Sequence, residues 1–99
     1  MSKGKQTKQR IVDASLKVAD RVGYLQTTRD LVATEADCAT GLIYRYFPTM
    51  DSLRDHLVHK AIERRALRVV GEALAARHPV ALALPLHFRQ QAAPSFANA

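Results

Sequence analysis

Apolar residues recur along this chain at helical spacing, and nowhere in the strict alternation of a half-buried strand. Ile11, Ser15, Val18 and Val22 fall four, three and four residues apart, and Val12, Leu16 and Ala19 widen the stripe. The spacing predicts a first helix over residues 8–22, closed by Gly23 where a C-cap glycine belongs. Tyr24 and Leu25 can then fold back on its end. Val32, Ala33 and Ala36 predict a short second helix from Thr28 to Glu35. Thr27 stands at its N-cap and Asp30 in the capping-box position, where Glu or Gln is usual. Asp37 and Cys38 read as a turn. Cys38 is a single thiol without partners in sequence and is expected to pack as a small hydrophobe.

Ile43 and Phe47, four apart, anchor a third helix over residues 39–46. Pro48 ends it by removing an N–H and restricting Phe47 to extended geometry. Thr49 caps a fourth helix, with Asp51 favourable near its positive end. That helix is expected to run unbroken over residues 50–76, with a narrow stripe of Leu53, Leu57 and Ala61. From Ile62 the stripe widens through Ala66, Leu67, Val69, Val70, Ala73 and Leu74, which leaves apolar surface in need of a cover. Gly71 inside it costs about 1 kcal/mol relative to Ala. His78-Pro79 closes it, and residues 80–93, split by Pro85, suggest one or two short helices returning over it.

The expected fold is all-α: a three-helix, helix-turn-helix bundle, a long fourth helix and a short C-terminal helical segment. The expected division is a flexible basic arm over residues 1–7, a helix-turn-helix domain over 8–60, an extension and dimerisation segment over 61–93, and a tail over 94–99. At 99 residues and 47% hydrophobic content the chain suffices for one modest core. No apolar run approaches the roughly 20 residues that span a bilayer. The basic N-terminus lacks the apolar stretch of a signal peptide. One cysteine excludes an intrachain disulfide and fits a reducing cytoplasm.

Charge changes this picture through its distribution. Residues 1–10 carry Lys3, Lys5, Lys8 and Arg10 and no acid; residues 11–47 sum to −1 and residues 48–99 to +3. A basic arm and a basic fourth helix thus flank a near-neutral middle, a pattern that suits a polyanion. The third helix carries the matching polar groups. Thr40, Tyr44, Arg45 and Tyr46 alternate with buried anchors, while Ala39 and Gly41 are small enough to let the backbone approach a groove. Leu42 can meet a thymine methyl, Arg45 a guanine or a phosphate.

The ordered set Gly23-Tyr24-Leu25-Gln26-Thr27-Thr28, Val32-Ala33, Ala36, Gly41, Ile43-Tyr44-Arg45-Tyr46-Phe47 and Leu53 resembles the N-terminal DNA-binding domain of the tetracycline-repressor (TetR) family, over roughly residues 10–60. The resemblance implies that Thr28, Tyr44 and Tyr46 hold phosphates. With Arg29, Ala39, Thr40, Gly41, Leu42, Arg45 and Thr49 they form the expected DNA-binding set. The sequence departs from the family pattern at three places. Asp37 replaces a turn glycine, Ala39 replaces a capping Ser, and Met50 replaces a basic residue at the start of the fourth helix. Arg29, at a position often apolar, is a candidate compensating phosphate contact.

The function so implied is a sequence-specific transcriptional regulator, a repressor, reading double-stranded DNA as a homodimer through residues 39–46. The widened C-terminal half of the fourth helix and the segment that follows it are the expected seam. The alternative is a protein-interaction module that keeps a degenerate helix-turn-helix and binds another regulator. No enzyme is expected: no Ser or Cys nucleophile has a motif around it, and no carboxylate pair is marked. His56 and His59 are three apart on the fourth helix without further ligands beside them, so no metal or other cofactor is expected. With 46 residues after Leu53, no enclosed small-molecule inducer site is expected.

Overall fold

The computed structural model describes residues 2–97; Met1 of the expected arm and residues 98–99 of the expected tail lie outside them. The described chain is all-helical. Seven helices follow in order: α1 (Lys3–Val22), α2 (Arg29–Ala36), α3 (Thr40–Tyr46), α4 (Met50–Glu63), α5 (Leu67–Ala75), α6 (Pro79–Leu82) and α7 (Leu86–Ala97). None among the described residues is long and apolar enough to cross a membrane.

Two apolar clusters share α1 and α4. The first joins Ile11, Val12, Ala14 and Val18 of α1 to Val32, Ala33, Ile43, Phe47 and Leu53. It is the core of the helix-turn-helix unit. The second joins Leu16, Ala19 and Tyr24 to Leu57, Val58 and Ala61 of α4 and to Val69, Val70 and Ala73 of α5, with Ala81 and Ala92 from α6 and α7. Residues four apart on α1 therefore feed both clusters, so the helix-turn-helix is braced by everything that follows it. The two buried hydroxyls are satisfied locally: Ser15 donates to the Val12 carbonyl at 2.6 Å and Thr27 to the Gly23 carbonyl at 2.9 Å.

Four elements differ from the sequence expectation. Helix α1 begins at Lys3, where a flexible arm is predicted, because Ser2 accepts the Lys5 N–H and caps it. Thr28, not Thr27, caps α2 by accepting the Leu31 N–H. Thr27 is instead turned inward, 1% exposed. Helix α7 extends through Ala97, across residues 94–97 of the expected tail.

The largest correction is that the fourth helix is not continuous. It stops at Glu63, Arg65 adopts a left-handed φ of 54°, and α5 restarts at Leu67. The end is a Schellman motif: Arg65 N–H donates to Ile62 O at 3.1 Å and Ala66 N–H to Ala61 O at 2.8 Å. An unbroken helix over 50–76 would be about 40 Å long, more than the 37 Å greatest extent of the molecule. Breaking it folds Val69, Val70 and Ala73 back over α4, and the widened face finds its cover within the chain, from α4, α6 and α7. His78 fastens the result. Its Nδ1 accepts the Val80 N–H at 3.2 Å, which leaves Nε2 to donate to Asp55 of α4 at 2.9 Å.

Candidate nucleic-acid interface

Helices α2 and α3 are joined by Asp37, Cys38 and Ala39. Asp37 takes φ 54° and ψ 52°, a left-handed geometry that Asp tolerates better than most residues. It closes α2 with the same motif as Arg65: Asp37 N–H donates to Thr34 O and Cys38 N–H to Ala33 O. Cys38 packs half-buried against the first cluster, as the sequence predicts for a small apolar residue. Ala39 is the N-cap of α3 and supplies no side-chain hydrogen bond, which is the consequence of Ser being absent there.

Helix α3 divides cleanly. Ile43 and Phe47 have no exposed surface and bolt the helix to the core. Thr40, Gly41, Tyr44 and Arg45 are exposed together with Ala39, and the helical period places 40, 41, 44 and 45 on one outward face. A Cβ added at Gly41 would meet nothing, so that stretch of backbone stands open. Leu42 and Tyr46 flank the face and are half-buried. Tyr46 packs against the first cluster, its hydroxyl 3.6 Å from where a Cβ of Gly4 would stand. The start of α1 therefore lies alongside α3.

Around Tyr44 the structure gathers several of the expected residues. Thr28, Arg29, Asp30, Tyr44 and Met50 line one cleft beside Thr27. Thr28 and Thr49 cap α2 and α4, each hydroxyl accepting a backbone N–H and keeping its own proton for another acceptor. Helix N-termini favour anions through their unpaired N–H groups and dipole. Arg29 is already engaged. Its Nη1 donates to the carbonyls of Phe47 at 3.2 Å and Pro48 at 2.7 Å, and its guanidinium lies 3.8 Å from the centre of the Tyr44 ring. Asp30 brings a negative charge to the same cleft, and Asp37 brings another to the turn.

The sequence does not single out Lys5, Lys8 and His56 as a group. They line a second cleft with Gln9 at the junction of α1 and α4. Lys8 Nζ sits 5.4 Å over the Phe47 ring, and the His56 ring meets Phe47 edge-on at 5.2 Å while its Nδ1 lies 3.0 Å from the Ser52 carbonyl. The signal that could have found them was the helical register of Lys5 with Lys8 and Gln9, hidden by starting the expected helix at Lys8 and reading residues 1–7 as an arm. Asp13 of α1 is paired with Arg64 and Lys60, and Glu35 of α2 with Arg21.

Residues 11–57 match the family model described as bacterial regulatory proteins, tetR family. The chain is 38% identical over 65 residues to the HTH-type transcriptional repressor KstR of Rhodococcus jostii, a match covering 66% of this chain and 29% of that protein. It is 36% identical over 81 residues to the KstR of Mycobacterium tuberculosis, covering 82% of this chain and 34% of that one. The KstR of Mycolicibacterium smegmatis is 37% identical over 65 residues, with 66% and 30% covered. The chain thus spans about a third of the length of these curated relatives. No solved structure matches it at a significant level.

Proposed function

We propose, from the match of residues 11–57 to the model of the bacterial tetR family of regulatory proteins, that the chain is a sequence-specific DNA-binding regulator, acting as a repressor, that inserts α3 into the major groove. The observation that carries the proposal is the division of α3: Ile43 and Phe47 fix it, while Thr40, Gly41, Tyr44 and Arg45 share its outward face. Ala39 and Gly41 keep the leading turn slim, and Thr40, exposed beside them, bonds a base edge or phosphate. Arg45 is the one long donor on that face and takes a guanine. Leu42, at the rim, meets a thymine methyl. Thr28, Thr49, Tyr44 and Tyr46 hold phosphates on either side and set the register.

Two copies acting on a two-fold operator complete the proposal. One helix-turn-helix covers little DNA, and half-sites about a turn apart multiply affinity. Of the expected seam, the stretch from Ile62 to Leu74 is covered within the chain, so a second copy would meet its remaining part, the α6–α7 side, where Leu82 is 41% and Leu86 61% exposed. The test is selection of duplexes from a randomised library by the protein, followed by light scattering with and without the enriched duplex. Enrichment of a palindrome and two chains per duplex support the proposal. Enrichment of nothing above background overturns the DNA reading. One chain per duplex overturns the two-copy arrangement.

A further inference from the structure

The sequence marks Arg29 as a phosphate contact, and its geometry assigns it a different task. We propose that Arg29 is a positioning residue, a strut from α2 that fixes the Tyr44 ring and the end of α3 so that the phenol hydroxyl is held toward the DNA backbone. The inference rests on the DNA-binding reading above. Three contacts converge on one side chain: the Phe47 carbonyl at 3.2 Å, the Pro48 carbonyl at 2.7 Å, and the Tyr44 ring centre at 3.8 Å.

Each contact has a physical reason. Phe47 is the C-cap residue of α3, and its own N–H turns back to Ile43 O. Its carbonyl lies at the negative end of the helix, and Pro48, following it, has no N–H with which to continue the ladder. A guanidinium there satisfies two carbonyls and complements the helix dipole. Its planar face is then free to lie on the ring of Tyr44, which is itself 43% exposed and stacks on no other aromatic ring among the described residues. Without the strut, an exposed tyrosine on a seven-residue helix would sample its rotamers, and ordering it would oppose DNA binding. Arg29 thus turns a loose contact into a preset one. Both carbonyl contacts come from one nitrogen, Nη1, so an ammonium could reach them, but it has no flat face to lie on the Tyr44 ring at the same time.

Arg29→Lys is therefore the discriminating variant, since it keeps the charge. A phosphate contact tolerates it; a strut does not. Affinity for a duplex selected by the parent should fall about fivefold, with the slope of log K against log salt unchanged because the number of neutralised phosphates stays the same. In a Tyr44→Ala background the same change should have no further effect. A DNA-independent reading comes from 3-fluorotyrosine labelling of the free protein, whose three tyrosines give three fluorine resonances. The one removed by Tyr44→Phe should shift and sharpen in Arg29→Lys, while those of Tyr24 and Tyr46 stay in place. A stationary Tyr44 resonance, or Arg29→Lys binding as tightly as the parent, overturns the strut. A parent that binds no selected duplex overturns the DNA-binding reading, and Arg29's role in it, whatever the fluorine spectrum shows.

Discussion

Among the described residues, three helices end on a left-handed residue that is not glycine: Asp37 at φ 54°, Arg65 at φ 54° and Arg77 at φ 59°. At Arg77 the pattern is the same as at the other two, with its N–H donating to Leu74 O at 2.9 Å and the His78 N–H to Ala73 O at 3.0 Å. An L-residue in this conformation carries about 1–2 kcal/mol of strain, less for Asp. Replacing it by Gly removes the strain but loosens the unfolded chain, which costs about 0.4–1 kcal/mol. The difference for an arginine is a gain of roughly 0.5–1 kcal/mol. Arg77 is exposed, so Arg77→Gly should show the full gain, raising Tm by about 4 °C. Arg65 lies 5.4 Å from the Phe88 ring centre, a contact worth about 0.5–1 kcal/mol, so Arg65→Gly should come out near neutral. Asp37→Gly should gain less than Arg77→Gly. Urea titration of the three variants beside Arg77→Ala checks the order. If Arg77→Gly is destabilised, or if Arg77→Ala gains as much, the strain argument fails.

Ala39→Ser should stabilise the protein by about 1 kcal/mol, because it supplies the missing N-cap of α3; an unchanged urea midpoint would count against the cap. Neutralising Lys3, Lys5 and Lys8 to Gln should weaken binding to all duplexes alike and flatten the salt slope by up to ~0.9 for each phosphate no longer neutralised. Specificity should survive that change, and weakening confined to the selected duplex would refute the assignment. Burial raises the phenol pKa of Tyr24 above its ordinary 10.0, with Arg54 opposing. Being raised, it adds stability that is intact below the unfolded value and is lost as pH rises through the folded one. Stability should therefore fall above pH ~10, and Tyr24→Phe should flatten that alkaline slope.

The helix-turn-helix was legible because each of its parts carries a local chemical reason. Ile43 and Phe47 fix one face of α3, Pro48 stops it, and Thr49 starts the next helix. The break at Arg65 was not legible, since neither Gly nor Pro marks it. It is imposed by packing: Val69, Val70 and Ala73 must reach back to α4, and the arginine accepts the strained turn. The same applies to α1, where four bases and no acid in residues 1–10 suggest an arm, yet Ser2 caps a helix that reaches Tyr46. Of the site, the outward residues of α3 could be read from periodicity. The role of Arg29 could not, because its partners lie 18 and 19 residues away and meet it only after folding.

The proposal that the outward face of α3 reads base sequence is tested most directly by one affinity ratio. It compares a duplex selected by the protein with a scrambled duplex of the same composition, for the parent and for Arg45→Ala, at matched salt. The parent should show a ratio well above one. In Arg45→Ala that ratio should fall by about 1–3 kcal/mol of discrimination, with an unchanged melting temperature, since Arg45 is exposed and outside both cores. An equal ratio in the two proteins, or a parent that binds both duplexes alike, would contradict it.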